Sequence, residues 1–315
     1  MSEHRRQHFI PAFYLAGFTP SGLAEDYLNV IDQNTRRTWR SKPTEAAHSR
    51  DFYRIDMTDV DPNMLERFLG QVEADTAAIV HDFEASGTPP TGEAHEKLMT
   101  FISFLVARVP AHRELISESM GQIAKMMMEM TVATPERWAS RVSRMKKEGI
   151  DLTISDYSEM KDFVDRGEYK IEANQTWLLG LFLQEASTLY PTMMARNWAF
   201  IRADEQTSGY ICSDHPVGLI WTKEMPPFYR PGFGMPDTEL TVPLTRKWAL
   251  IGRFDKPANV GLADRATVAA LNSRTGMSAG QIYHPSEDFV WTMLTGEIGG
   301  RQDLLDAIRG GKEAS

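Results

Sequence analysis

Between two apolar arms, one of Tyr210, Ile211 and Cys212 and one of Val217, Leu219, Ile220 and Trp221, the chain carries Ser213, Asp214, His215 and Pro216. A carboxylate, an imidazole and a hydroxyl in so short a space are groups that can move protons. The arms read as strands and the polar residues as the turn joining them. Consecutive strand residues point to opposite faces, so Asp214 and His215 share a pocket only if the backbone turns there. Two roles stay open for Asp214: a cap on turn amides, or an acid–base group in a site. Cys212 reads as a small buried apolar residue rather than a nucleophile.

Arg108 is the second candidate. It follows Phe104 by four residues and Phe101 by seven, so it shares a helix face with core residues. A cation there needs an acidic or polar partner, and a guanidinium can also grip a carboxylate or phosphate with two bonds. Glu73 follows Leu69 by four and lies beside the apolar stripe of its own helix, as partner to Arg108 or as an acid in a pocket. Near the N-terminus, QHFIPAFYLAGF sets His8 beside Phe9, Phe13, Tyr14 and Phe18. So aromatic a segment is expected to dock into the protein body and to carry His8 with it.

The elements that must position these groups fall into three zones. Residues 1–61 read as short strands, with YLNVID and RTWR forming a hairpin across QNT and DFYRI as a further strand. Residues 62–190 read as helical. Leu65, Phe68, Leu69, Val72, Ile79, Val80 and Phe83 form one stripe, and Leu98, Phe101, Ile102, Leu105 and Val109 another, with SGTPPTG as the break between them. Pro110 must end or kink the second helix, Pro135 opens a later one, and Pro191 follows the last. The methionines Met126, Met127, Met128 and Met130 read as core filling, with a soft binding face as the other possibility. From Met194 onward NWAFIRA, GYIC, VGLIW, ELTVPL, WALIGR, QIYH and DFVWTML are candidate strands, and DRATVAALNSRTG is a helix. The expected fold is α+β, one domain over 1–315, with a mixed or antiparallel sheet from both terminal zones packed with the helical zone at about 62–190.

Composition narrows the function classes. A net charge of −9 counts against nucleic-acid binding, which rests on cationic surface; the basic runs HRRQH and RVSRMKK read as solvated charge. The longest apolar patch, Leu98 to Val109, is too short to span a bilayer. A single cysteine excludes an internal disulfide framework and fits a cytoplasmic setting. Walker, dinucleotide, HExxH and GxSxG motifs are all missing, so no cofactor is named by motif.

The pattern His8-x-x-Pro11-x-Phe13-Tyr14-Leu15-x-x-Phe18 resembles the opening of a family of bacterial proteins known as DUF4238. Asp51, Phe52 and Tyr53 resemble its next element, followed by Glu73 on the first long helix and by Arg108 and Pro110 at the end of the next. Ser213, Asp214 and Pro216 match its Ser-Asp-x-Pro turn, Pro243 and Leu244 a later strand, and Asn272 a late helical position. The residue after the aspartate is often asparagine in such proteins; His215 stands here, which argues against an essential role for it. The resemblance implies positions rather than a reaction: His8, Asp214 and Glu73 as acid–base groups, with Arg108, Asn272 and Tyr14 contacting substrate. The expected function is a hydrolase acting on a small phosphate- or carboxylate-bearing molecule. The alternative is a ligand- or partner-binding protein without turnover. His8, Asp214 and Glu73 are metal-ligating types, yet no short-range ligand spacing supports a metal.

Overall fold

Alternation and helical stripes resolve into the expected zones in a computed structural model, which describes residues 6–55, 57–150, 153, 156–167, 169–171, 173–285 and 288–310. By internal packing the chain forms two units, Met1–Pro110 with Leu179–Ser315, and Ala111–Leu178.

The first unit carries the strands. Its N-terminal part runs β1 (Arg6–His8), α1 (Ala12–Ala16), β2 (Leu28–Asp32), β3 (Thr38–Ser41) and β4 (His48–Arg50), then α2 (Met64–Ser86) and α3 (Gly92–Ala107). The DFYRI stretch expected as a strand is instead a turn, because pairing with β1 stops at Arg50 and Asp51 takes a positive φ of 54°. A left-handed residue cannot continue a ladder. Gly87, with φ 69°, closes α2 in the left-handed C-cap that glycine favours. Arg108 caps α3, and Pro110 opens α4 (Pro110–Thr131), as a proline at the first helical position allows.

The second unit holds most of α4 together with α5 (Pro135–Lys147), α6 (Tyr157–Arg166) and the start of α7 (Gln175–Met194). Val132, Trp138 and Val164 form its small core. The methionines of α4 do not fill it: Met126, Met127 and Met130 are exposed, and Met128 packs only partly. The last long helix also runs through Pro191 to Met194 rather than stopping before it.

Past α7 the first unit continues with β5 (Asn197–Ala203), β6 (Cys212–Ser213), β7 (Gly218–Trp221), β8 (Thr238–Pro243), β9 (Trp248–Arg253) and β10 (Val260–Ala263). Then come α8 (Arg265–Met277), β11 (Gln281–His284), β12 (Trp291–Thr292), β13 (Ile298–Gly299) and α9 (Arg301–Gly310). One sheet has the order β10-β5-β9-β8-β7, antiparallel except for the β10–β5 pair. The other, β3-β2-β11-β6, is wholly antiparallel and interleaves the N-terminal hairpin with late strands: Ile31 faces Ile282, and Ile282 faces Ser213. The fold is therefore α+β, with the terminal zones sharing a sheet. Phe83 of α2 packs on Phe200 and Trp248, with ring centroids 4.8 and 4.7 Å away, so the helices bury the first sheet's inner face. Tyr14 and Phe18 are buried in this core, and Phe9 and Phe13 pack on its margin.

Candidate functional site

His8 ends β1, whose register places it opposite His48, with the rings edge to face at 5.7 Å. Alternation sends the preceding Gln7 inward, where its buried side chain accepts the backbone N–H of Tyr53. The Tyr53 hydroxyl donates to the His8 carbonyl at 3.3 Å. The turn after β4 is thereby stapled to β1.

Arg108 completes its helix with a backbone N–H donated to Phe104. Its side chain follows the apolar face inward and is 1% exposed. Nη1 donates to Oε1 of Glu73 on α2 at 2.9 Å, and the Glu73 side chain keeps 26% of its surface in water. Nε and Nη2 are buried and have no hydrogen-bond partner among the described residues; neither has Nε2 of His8. These two N–H groups of a guanidinium point in parallel and form the edge that a carboxylate or phosphate fits with two bonds. Leaving such donors dry and unpaired costs on the order of 1–3 kcal/mol each, more for a charged group.

The charges around this edge are tuned together. Burial works against the Arg108 cation, but Tyr53, Glu73 and Glu66 outweigh it and hold its pKa above the usual arginine value. Glu66 precedes Glu73 by seven residues, two turns along the same helix face. Burial, with repulsion from Glu73, pushes its carboxyl up to about 7, against the pull of Arg108. His8 is lowered by burial, by His48 and by Arg108, while backbone hydrogen bonds at Thr44 and Pro43 work the other way. Near neutral pH the cluster thus offers a fixed cation, a neutral imidazole and a carboxyl that exchanges its proton. Arg108 and Glu73 meet in an ion pair, and Glu66 and His8 each lie within electrostatic range of Arg108.

The other expected members do not join. Asp214 does sit between β6 and β7, but no bond links it to Arg108 or His8 among the described residues. Its carboxylate accepts the Gly280 N–H at 2.9 Å, and a Cβ on Gly280 would stand only 2.9 Å from Oδ2, so the glycine permits this approach. Burial raises its pKa, and nearby Asp32 adds to this, while amides at Gln281 and Gly280 oppose it. The geometry gives Asp214 the turn-holding role. Asn272 is spent on the backbone: Oδ1 accepts from Ile211 at 3.0 Å, and Nδ2 donates to Gly209 at 3.2 Å and Val290 at 2.9 Å. The Tyr14 hydroxyl is given to the Pro243 carbonyl. Cys212 is fully buried, and burial pushes its thiol well up, as suits a packing residue. Among the described residues no cluster of three or more His, Cys, Asp or Glu is placed to hold a metal ion, and no helix is long and apolar enough to cross a membrane.

The chain belongs to the family described as protein of unknown function, DUF4238, whose model matches residues 6–285. The matched span contains β1, α2 and α3, and so every residue of the Arg108 cluster. No curated protein and no solved structure matches the chain.

Proposed function

We propose that the protein takes a small anionic molecule, bearing a carboxylate or a phosphate, on the free edge of Arg108 and hydrolyses it there. The observation that carries this reading is the pair of buried, unpartnered nitrogens Nε and Nη2 on a guanidinium whose remaining nitrogen is already fixed by Glu73. Glu73 sets the plane of the fork. His8, kept neutral, takes a proton from water at Nε2 as the water oxygen bonds to the scissile carbon or phosphorus. Glu66, protonated near neutral pH, gives its proton to the departing oxygen. Asp214 has no step in this scheme. A cytoplasmic bacterial setting belongs to the reading, supported by the single buried cysteine, and the net charge of −9 argues against a nucleic-acid substrate.

Binding without turnover is the second reading. It is favoured by the depth of Arg108, which suits retention of a small anion more than rapid exchange of substrate and product. Calorimetry with inorganic phosphate and with succinate, alongside hydrolysis of p-nitrophenyl phosphate and mono-p-nitrophenyl succinate, separates the two. Turnover that His8→Gln removes while anion binding survives supports the hydrolase. Binding that Arg108→Lys removes, in a protein that turns over neither ester, supports the binding protein. A chain that binds neither anion defeats both.

A further inference from the structure

The hairpin between β8 and β9 is locked in place from three sides. Arg246 donates its backbone N–H to Gly17 at 2.9 Å, its carbonyl accepts from Tyr210 at 2.8 Å, and Leu244 donates to Trp248 at 2.8 Å. Two glycines make this approach possible. A Cβ on Gly209, whose φ is 85°, would stand 2.1 Å from the Arg246 carbonyl oxygen, and one on Gly17 would meet Thr245 at 3.1 Å. The Tyr14 hydroxyl, on the Pro243 carbonyl, fixes the strand end as well. A hairpin tip held this firmly fixes where its side chains leave the backbone.

Those side chains border a cavity of about 360 Å³ between the tip, the segment after α1 and the second half of α2. Its apolar wall includes Phe13, Ala77, Val80 and Leu244. Its polar rim has His81, Glu84, Arg246 and Lys247. Glu84 is engaged, accepting from the Thr245 hydroxyl at 2.9 Å. Among the described residues, neither the Arg246 nor the Lys247 side chain has a hydrogen-bond or ion-pair partner. Two unpaired cations thus face one engaged carboxylate over an apolar wall, in a volume within the usual range for small-molecule sites.

We infer that this cavity is a second binding site, for an organic anion with a flat apolar body and a carboxylate or phosphate head. The body lies on Phe13, Ala77 and Val80, and the head meets Arg246 and Lys247. The site is separate from the Arg108 cluster and does not depend on its function.

Calorimetry with 2-naphthoate, 2-naphthyl phosphate and 2-naphthol tests it in the full-length protein. Both anions are expected to bind, and 2-naphthol at least about tenfold more weakly; the stronger of the two anions identifies the head group. The double variant Arg246→Gln, Lys247→Gln should weaken both anions by roughly tenfold or more, since hydrogen bonds to a charged group are lost. Ala77→Phe, which fills the wall, should abolish binding, with thermal melting used to confirm that each variant is folded. In Arg108→Gln the binding that depends on Arg246, Lys247 and Ala77 should persist. No binding by either anion at about millimolar concentration overturns the site, as does binding that survives both the charge and the wall variants. Loss of binding in Arg108→Gln alone would assign the anions to the other cluster and overturn it equally.

Discussion

Glu73 holds one nitrogen of Arg108 and leaves the opposite edge of the same guanidinium empty. The two ends of this pair are not equivalent, because the arginine is dry and the glutamate is partly wet. Removing the glutamate strands a buried cation, whereas removing the arginine leaves a carboxylate that water can reach. Glu73→Gln should therefore cost about 2–3 kcal/mol, somewhat below the range for breaking a fully buried pair, and Arg108→Met distinctly less. Urea unfolding of the two variants gives the comparison; equal losses would contradict it.

Glu66 should make stability fall as pH rises. Its folded pKa is raised to about 7 from an ordinary 4.5, so between those values the folded state holds the proton and the unfolded state has lost it. The contribution is present below about pH 4.5 and is lost as pH climbs through 7, with about 3 kcal/mol as its ceiling. His8 works in the opposite sense: its folded pKa is depressed, so its share is present above 6.5 and is lost as pH falls. Glu66→Gln should remove the downward slope and His8→Gln should steepen it, as read from melting temperature against pH.

Anion affinity at Arg108 should follow the same titration. Ionised Glu66 repels the ligand, so binding of inorganic phosphate is expected to weaken above about pH 7 in the parent chain. In Glu66→Gln that loss should vanish. A parallel decline in both proteins would place the titrating group elsewhere.

Removal of residues 1–18 should unfold the first unit. Ile10, Tyr14, Leu15 and Phe18 are essentially inaccessible, and Gly17 anchors the β8–β9 tip. Burial of each large apolar side chain is worth about 1.5–3 kcal/mol, so their joint loss rivals the stability of a whole domain. An unchanged melting temperature in the truncated chain would refute this.

Asp214→Asn should spare the Arg108 site. The change keeps an acceptor for the Gly280 amide and removes a charge that burial already disfavours, so a loss of about 1 kcal/mol or less is expected, in the lower range for caps. Phosphate affinity should not move. A large fall in affinity would return Asp214 to the site.

Much of the fold is legible locally, and the site only in part. The helices α2 and α3 follow from their 3.6-residue apolar stripes, and the hairpin of β2 and β3 from the QNT turn between two strand-forming runs. The course of α7 past Pro191 is not legible this way: a proline breaks a helix only where the lost bond matters. Arg108 announces itself as a cation on a core face, and Glu73 as an acid beside one. Glu66 does not, since a glutamate one residue after Leu65 looks like solvated surface until burial and Glu73 act on it together. For Asp214 the sequence leaves two roles open, a turn cap or an acid–base group, and only the Gly280 amide it accepts selects between them.

The sheet that joins β2 to β11 sets a timetable for the nascent chain. Ile31 leaves the ribosome long before Ile282, its partner across the ladder, and at elongation of about 5–20 residues per second the wait is on the order of ten to fifty seconds. Throughout it one edge of the early hairpin has no native strand to receive it, while the short-range helices of Ala111–Leu178 emerge and can close their own core. Birth of the protein therefore includes an interval in which an open β edge must be shielded, and a holding chaperone suits that task better than a faster ribosome.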